Sequence, residues 1–515
     1  MRDFVNDPAN NSVNDAALLT IVAPPARHPA VAAAIGREPR LHELVSVVAE
    51  APENADDLLV VREDGLNTAA DWSEARPPVV LAQPLPFSPE NLLALVFVRL
   101  DNWEKAWQYA AQNPSLAADL ALLRGLQEGA PLDVPAAPIN DVGSFGHYRR
   151  WHNRAVALHY GQLARRPAAA DVQYAYQQAI AHAPGADWQA FSTKHYATFL
   201  LDNGQLAEAR QQLAATCDLP LSATARHELL AVEAAVLLQQ FTVPYDAGLL
   251  AELKDKLWQT LGYYERRGRG LSAALTLLDA AQVANFSNSF AEALGYLNRA
   301  VALLSEADAP ELLANAQYRK GVLLFTWAQN GNPQFYRGAM KAYQQALQVF
   351  TRNEAYPVFA EIQHHLGVIY SEIPDEVKKK SVWAAISVSS FNQALEFFTR
   401  DTHPYEYATI CNHYANAFTK YPAAFKTDNF AKALTYYRQA LAVRTAAAYP
   451  YERTLTLLNF LAAAWQVNLA LNPDPAVLLA EMRGYALEAS ELVPDPALVR
   501  EAQEHLERLV GVEVE

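Results

Sequence analysis

The sequence predicts an all-α protein in which pairs of helices repeat and stack into a right-handed solenoid, preceded by a small irregular or α/β segment. Two observations lead to this fold class. A pattern of small residues and prolines returns about every 46 residues over the C-terminal half of the 515-residue chain. Apolar residues within each copy recur at spacings of three and four, as amphipathic helices require. One helix pair cannot bury its own apolar face, so neighbouring copies must stack to complete a core.

Four copies of the repeat share three marker positions, which are separated by 46 to 48 residues. The first marker is a small residue at Ala300, Ala346, Ala394 and Ala440. The second marker is a proline at Pro310, Pro357, Pro404 and Pro450. The third marker is a small residue at Gly321, Gly367 and Ala415, with Leu461 in the fourth copy. Each proline is expected at the first turn of a helix, where its fixed φ fits and its missing N–H is not needed.

The small residues predict close packing between the helices of a pair. Without a bulky side chain at the contact, two helix backbones approach each other, and large neighbours fill the groove beside them. These large neighbours are Tyr343, Phe391 and Tyr437.

Residues 1–85 differ from the rest of the chain because they are rich in Ala, Pro and Asp. Short apolar runs predict strands at Leu18–Val22, Leu58–Val61 and Val79–Ala82. Prolines on both sides of the third run disfavour a continuous helix. Two structures fit this composition: a small α/β cap, or an extended segment laid on the solenoid.

The helical signal begins at Ser88, which is an N-cap residue followed by a proline for the first turn. Near the other end, Asp474 and Asp495 precede prolines and mark the starts of two last helices. Five regions result: a cap or extended segment at 1–85, a first helical unit at 86–128, divergent helices at 144–285, regular repeats at 286–471, and capping helices at 472–515.

The small-residue markers resemble those of the tetratricopeptide repeat, a helix pair with a period of 34 residues. Two short copies match it most closely, with Ala94 12 residues before Ala106 and Ala197 12 before Ala209. The longer C-terminal copies resemble arrays that precede CHAT peptidase-like domains in bacterial multidomain proteins. No segment resembles the catalytic His and Cys segments of a CHAT domain. The resemblance implies a solenoid that binds its partner on a concave face.

Composition excludes several classes of function. With 41 basic and 56 acidic residues the net charge is −15, whereas nucleic-acid binding needs clustered Lys and Arg. Cys217 and Cys411 are too few for a disulfide framework or a four-cysteine zinc site. The polar start predicts no signal peptide, and the apolar run Leu92–Val98 is too short to cross a bilayer. We therefore expect a cytoplasmic protein that binds neither nucleic acid nor membrane.

We find no catalytic, cofactor-binding or metal-binding motif in the sequence. His364 and His365 are adjacent, and neighbouring helix residues point about 100° apart, so the pair does not chelate one metal ion. One of the two is expected to line the concave face and the other to pack. Cys411, two residues from His413, is expected to be buried and inert. The sequence therefore predicts no enzyme, no cofactor and no metal.

Two basic clusters are expected to be structural. Arg266, Arg267 and Arg269 stand at a predicted helix end beside two glycines, where cations suit the helix dipole. A contact with an acidic partner is the alternative for these arginines. Lys378–Lys380 are expected in a solvated loop after Pro374.

Protein or peptide binding is the activity that the repeat favours. Counted from the small markers, the residues expected to face the concave surface are Tyr318, Phe325, His364, Ser371, Asn412, Asn416 and Lys420. The last three follow one helical stripe, which resembles part of the carboxylate clamp of chaperone-binding tetratricopeptide domains. His364 and Val368 stand where that clamp requires polar Asn or Lys.

Three hypotheses follow from the sequence. The first is a non-catalytic scaffold or adaptor that binds a protein partner on the concave face. The second is a regulatory or sensor subunit of a bacterial signalling or conflict system, which holds a separately encoded effector such as a CHAT peptidase. The third is an enzyme whose site lies in residues 1–85, although that region contains no recognisable constellation. Oligomeric state is not indicated by the sequence.

Overall fold

The chain folds as helix pairs preceded by a small sheet. Within the described part, the computed structural model has twenty-one α-helices and one four-stranded sheet, which confirms the predicted fold class. The chain divides into two compact units, Met1–Asp279 and Ala280–Glu515. The structure describes residues 19–51, 58–72, 76–137, 144–241, 246–307, 309–423, 428–468 and 474–512.

The first unit begins with a small α/β layer. Its strands are β1 (Leu19–Val22), β2 (Val45–Val48), β3 (Leu59–Val61) and β4 (Leu66–Thr68), in the order β2-β1-β3-β4. β1 is parallel to β2 and β3, and β4 is antiparallel to β3. Two predicted strands correspond to β1 and β3. The predicted strand Val79–Ala82 is wrong: these residues pair with no strand, and side chains of helices hold their backbone.

Eleven helices begin in the first unit. They are α1 (His28–Ile35), α2 (Pro89–Arg99), α3 (Trp103–Ala110), α4 (Pro114–Glu128), α5 (Ser144–Tyr160), α6 (Ala169–Ala181), α7 (Ala186–Asp202), α8 (Leu206–Cys217), α9 (Ala223–Gln240), α10 (Ala247–Arg266) and α11 (Gly270–Phe286). Antiparallel neighbours pack as the pairs α5/α6, α7/α8 and α9/α10, and α7 also packs against α9. We call α5, α7 and α9 the first helices of this unit.

The second unit contains the regular repeats. Its helices are α12 (Phe290–Glu306), α13 (Pro310–Gln329), α14 (Tyr336–Ala346), α15 (Tyr356–Glu372), α16 (Val377–Phe397), α17 (Pro404–Phe418), α18 (Asn429–Leu441), α19 (Pro450–Ala464), α20 (Pro475–Leu492) and α21 (Pro496–Val510). They pack as the pairs α13/α14, α15/α16, α17/α18 and α19/α20. The first helices here are α13, α15, α17 and α19, and α15 packs against both α13 and α17.

The predicted helix starts are confirmed. All four marker prolines lie in the first turn of a first helix. Ser88 caps α2, and its Oγ accepts a hydrogen bond from the Asn91 amide at 3.1 Å. Asp474 and Asp495 cap α20 and α21 in the same way. Local signals therefore fix where these helices begin, because each cap satisfies amides that have no partner inside the helix.

The two basic clusters have different outcomes. α10 ends at Arg266, and Gly268 takes a positive φ of 68° just after it, as predicted. Lys378–Lys380 do not form a loop, because α16 already begins at Val377 and includes all three residues. The proline at 374 ends the preceding segment and leaves only a short connection before the next helix.

Close contact at the small markers explains their spacing. A Cβ added to Gly367 would lie 2.9 Å from ring atoms of Phe391, and one added to Gly321 would lie 2.6 Å from the Tyr343 ring. Phe391 and Tyr343 are themselves fully buried. The aromatic residue of each second helix therefore rests directly on the backbone of its first helix.

We expect Gly367→Ala to lower the free energy of unfolding by about 1–2 kcal/mol. The methyl group overpacks the Phe391 contact, which outweighs the better helix propensity of alanine, worth about 1 kcal/mol. Gly484→Ala is the matched control, since a Cβ there meets no atom within 4 Å and should stabilise α20 by about 0.5–1 kcal/mol. Urea unfolding of the two variants checks this, and equal shifts of the same sign would contradict the packing argument.

Candidate partner-binding surfaces

The predicted contact residues lie on the first helices of the second unit or directly after them. Tyr318 and Phe325 belong to α13, His364 and Ser371 to α15, and Asn412 and Asn416 to α17, while Lys420 follows the end of α17. Six of the seven residues thus lie on three helices, and α15 contacts both α13 and α17. Their side chains differ widely in exposure and in hydrogen bonding.

His364 is part of a histidine pair that spans two repeats. Its Nε2 lies 2.8 Å from Nδ1 of His413 on α17, and the two rings are stacked. Burial, together with the charges of Arg444 and Lys420, lowers the pKa of His413 to about 4. Burial also lowers the pKa of His364 well below its usual value. Both rings are therefore neutral near pH 7, and one nitrogen donates while the other accepts.

His364, which the sequence places on the concave surface, is packed instead. His364 is only 9 % exposed. His365 is half-buried, and its Nδ1 lies 2.8 Å from the Tyr343 hydroxyl. Burial lowers the pKa of His365 to about 4. Both rings therefore belong to the polar interior of the repeat.

The stripe on α17 is partly used inside the protein. Asn416 accepts a hydrogen bond from the Tyr437 hydroxyl at 2.6 Å. Lys420 is 46 % exposed and forms an ion pair with Glu372 of α15. Asn412 is 8 % exposed, and its Oδ1 has no hydrogen-bond partner among the described residues. An unpaired buried amide oxygen costs about 1–3 kcal/mol, so this position retains hydrogen-bonding capacity.

The remaining three predicted residues are packed or internally bonded. Phe325 is 6 % exposed and stacks on the His365 ring with centroids 4.7 Å apart, so it belongs to the core and not to an open surface. Burial and the carboxylate of Glu361 raise the pKa of Tyr318. The Ser371 hydroxyl donates to the carbonyl of Val368 at 2.7 Å.

A second surface, which the sequence did not reveal, lies in the first unit. Residues 76–82, here called the groove segment, belong to no helix or strand and are held by α4 and α5. Their backbone turns at Pro78, where the Val79 N–H donates to the Pro77 carbonyl at 2.8 Å. The Asn153 amide of α5 both accepts from the Val80 N–H at 2.9 Å and donates to the Val80 carbonyl at 2.8 Å. The Ala82 N–H donates to Asp119 of α4 at 2.8 Å. The helices therefore bind the main chain of this segment.

Buried polar side chains orient the groups that hold the groove segment. Asp119 forms a buried ion pair with Arg149 and accepts from the Asn153 amide at 3.1 Å. Burial raises the pKa of Asp119 to about 6, although Arg149 opposes this shift. These contacts orient the Asn153 amide for its two hydrogen bonds with Val80.

His152 holds a further main-chain atom of the groove segment. Its Nε2 lies 2.8 Å from the carbonyl oxygen of Pro78, and its Nδ1 lies 2.8 Å from the Ser192 hydroxyl. Because a carbonyl only accepts, Nε2 carries the proton. Burial lowers the pKa of His152 to about 4, so the ring donates in its neutral form at pH 7.

A buried carboxylate with two cations lies beside the chain that leads into the groove segment. Glu228 of α9 is 1 % exposed and pairs with Lys194 of α7 at 2.7 Å and with Arg269. Arg269 also donates to the carbonyl of Trp72 at 2.7 Å. The Trp72 ring meets the edge of Phe191 with centroids 5.1 Å apart. Contacts to the main chain at Trp72, Pro78, Val80 and Ala82 thus come from α4, α5 and the start of α11.

The described residues show neither a metal-binding group nor a membrane-spanning helix. In the described part of the chain, no group of three or more His, Cys, Asp or Glu residues is arranged to hold a metal ion. No helix in that part is long and apolar enough to span a membrane. Cys411 is fully buried, and burial raises the pKa of its thiol to about 12, as expected for an inert cysteine.

Comparisons with known proteins give only distant matches. No protein-family model matches the chain, and no characterised protein sequence matches it. Among solved structures, human IFIT1 with PPP-AAAA matches at 12% identity over 82% of each chain, with a TM-score of 0.36. The APC/C hetero-tetramer Cut9-Hcn1 matches at 14% identity over 82% of this chain and 89% of that chain, with a TM-score of 0.26. At such low identities and TM-scores, neither supports a statement about this chain's function.

Proposed function

We propose that the protein is a non-catalytic scaffold whose first helices bind an extended segment of a protein partner. One observation carries this proposal: Asn153 forms hydrogen bonds with both the N–H and the carbonyl of Val80. A side-chain amide that donates to and accepts from one residue of an extended chain recognises main-chain atoms. The first helices of this protein therefore have the chemistry needed to bind a peptide.

In the second unit we propose the α17 stripe, Asn412, Asn416 and Lys420, as the peptide contact. Asn412 supports this because its amide oxygen has no described partner. Rotation about its Cβ–Cγ bond turns the oxygen toward the exposed edge of the side chain, where a main-chain N–H of the partner satisfies it. Lys420 is half exposed at the end of the stripe, where its charge, shared with Glu372, attracts a carboxylate of the partner.

Asn412→Ala should weaken binding of a partner peptide about tenfold or more, because one hydrogen bond at a largely desolvated position is lost. The probe is a linear peptide selected from a random display library against the immobilised full-length chain. Its affinity for the wild type and each variant is then measured by fluorescence anisotropy. Lys420→Ala should weaken peptides that carry a free C-terminal carboxylate more than their amidated forms.

Asn392→Ala is the matched control, since Asn392 is an exposed asparagine on the second helix α16. It should leave the affinity unchanged. Selected peptides that bind wild type and Asn412→Ala equally well would reject the α17 stripe, and a library from which no peptide is enriched would reject the scaffold. The alternative function, a regulatory or sensor subunit, remains a prediction. It requires that the bound segment belong to an effector protein.

A further inference from the structure

The groove segment is held through main-chain hydrogen bonds as well as through its side chains: Val80 and Leu81 pack in the core, and the Arg76 guanidinium donates to the Arg99 carbonyl at 3.1 Å. Four of its backbone atoms are bound by side chains of the helices: the N–H and carbonyl of Val80, the carbonyl of Pro78 and the N–H of Ala82. These hydrogen bonds do not depend on which side chains the segment carries. Any chain that follows the same backbone path presents the same atoms.

Side chains add only a limited requirement. Val80 and Leu81 are buried, whereas residues 76–79 are only half-buried. Pro77 and Pro78 restrict φ to values close to those of an extended chain, so less conformational entropy is lost when the segment is bound. The features that suit the groove are therefore a proline pair followed by branched apolar residues.

The groove segment forms no strand pairing with the sheet. Among the described residues, it pairs with no strand, and the chain next pairs with β4 only at Leu85, opposite Leu66. A cavity of about 40 Å³ remains between the segment and helix residues that include Leu123, Trp188 and Phe191. The contact between the groove segment and the helices therefore contains no β-ladder hydrogen bonds, and its side-chain packing is incomplete.

We propose that the groove on α4, α5 and α7 is a second peptide-binding site, and that the groove segment is an internal ligand that closes it. Its external ligand is an extended partner segment with a proline pair followed by branched apolar residues. This ligand displaces residues 76–82 and takes over their hydrogen bonds to Asn153, Asp119 and His152. The site lies wholly within the first unit and does not depend on the α17 stripe.

The groove segment belongs to the same chain as the groove, so it competes with any external ligand and thereby regulates binding. An internal ligand on a short connection has an effective concentration in the millimolar range, so an external peptide of equal intrinsic affinity competes poorly. A partner binds only when it has higher affinity or when the segment has been released. Release and binding are therefore linked events.

The test uses a fluorescein-labelled peptide with the sequence of residues 76–84 and the full-length protein. The release variant is Val80→Asp/Leu81→Asp, which disrupts the buried side chains of the segment and leaves the groove intact. We expect the release variant to bind the peptide at least about tenfold more tightly than wild type. Adding Asn153→Ala to the release variant should remove most of this gain.

N-methylated versions of the peptide test whether the Val80 N–H is recognised. Methylation of the Val80 amide nitrogen removes the N–H that Asn153 accepts and should abolish binding to the release variant. Methylation at Leu81, whose N–H has no partner among the described residues, is the matched control and should have a smaller effect. Equal binding of the two methylated peptides would overturn main-chain recognition by Asn153.

The remaining outcomes are also decisive. A folded release variant that binds no peptide, or a wild type that binds as tightly as the release variant, would overturn the proposal. If circular dichroism shows that the release variant unfolds, Pro77→Gly/Pro78→Gly tests the same effect without a buried charge. In the wild type, the amides of Val80 and Ala82 should exchange with deuterium at least tenfold faster than those of Ala155 and Val156 in α5. Equal rates would show a permanently closed groove and overturn the proposal.

Discussion

Glu228→Ala is expected to lower the free energy of unfolding of the first unit by about 3–5 kcal/mol, the cost of removing one partner from a buried ionic cluster. Glu228 lies between Lys194 and Arg269 and is almost fully buried. Its loss removes a buried carboxylate with which both cations pair. Arg269 also supports the chain at Trp72, so the loss should extend to the entry of the groove segment.

Glu252→Ala is the matched control for this prediction. Glu252 also contacts two cations, Arg210 at 2.9 Å and Lys256 at 3.7 Å, but all three lie nearer the surface. Exposed pairs of this kind contribute about 0–1 kcal/mol. Urea unfolding followed by circular dichroism compares the two variants. If both lose the same free energy, burial is not what makes Glu228 important.

Acidification is expected to destabilise the second unit through its buried histidines. Burial lowers the folded-state pKa of His365 and His413 to about 4, whereas an unfolded chain has a histidine pKa of about 6.5. Between these values the unfolded chain binds protons that the folded chain does not, so stability falls as the pH falls. At one pKa unit per 1.36 kcal/mol, each histidine accounts for about 3 kcal/mol between pH 7 and pH 4.

His365→Gln/His413→Gln should remove the part of this dependence that the two rings contribute. Unfolding free energies of wild type and the double variant are compared at neutral pH and near pH 4.5, because carboxylates and the histidines away from these two rings contribute equally to both proteins. The decrease on acidification should be about 5 kcal/mol smaller in the double variant. A decrease of the same size in both proteins would show that these rings are already protonated in the folded state.

Helix starts and helix contacts were predictable because their causes are local. A marker proline fits the first turn of a helix whatever surrounds it. A glycine is needed at position 367 because the Phe391 ring lies directly against the backbone there. Strands β2 and β4 were missed because polar residues interrupt them: Ser46 lies within β2, and Leu66 is the one apolar residue of β4. Val79–Ala82 has the composition of a strand, but its partners are side chains of α4 and α5 far along the sequence.

The candidate site was predictable only to the level of the helix. The repeat register places all seven residues on or beside the correct first helices, but a shift of one residue turns a helical side chain by about 100°. This is why His364 and Phe325 prove to be buried. The histidine pair could have been predicted from the repeat spacing. His364 and His413 are 49 residues apart, about one repeat, which places them on neighbouring first helices.

The long sequence separations of the groove contacts set an order of events during synthesis. The groove segment leaves the ribosome early, but Asn153 follows Val80 by 73 residues and Arg269 follows Trp72 by 197. At about 5–20 residues per second, the chain waits on the order of 10–40 s before Arg269 emerges. Asn153 emerges on the order of 4–15 s after Val80 at the same rate, and until then Pro77, Pro78 and the apolar residues after them have no binding site of their own. A nascent chain therefore exposes the same segment that the finished protein keeps covered, which makes it a natural contact for a chaperone.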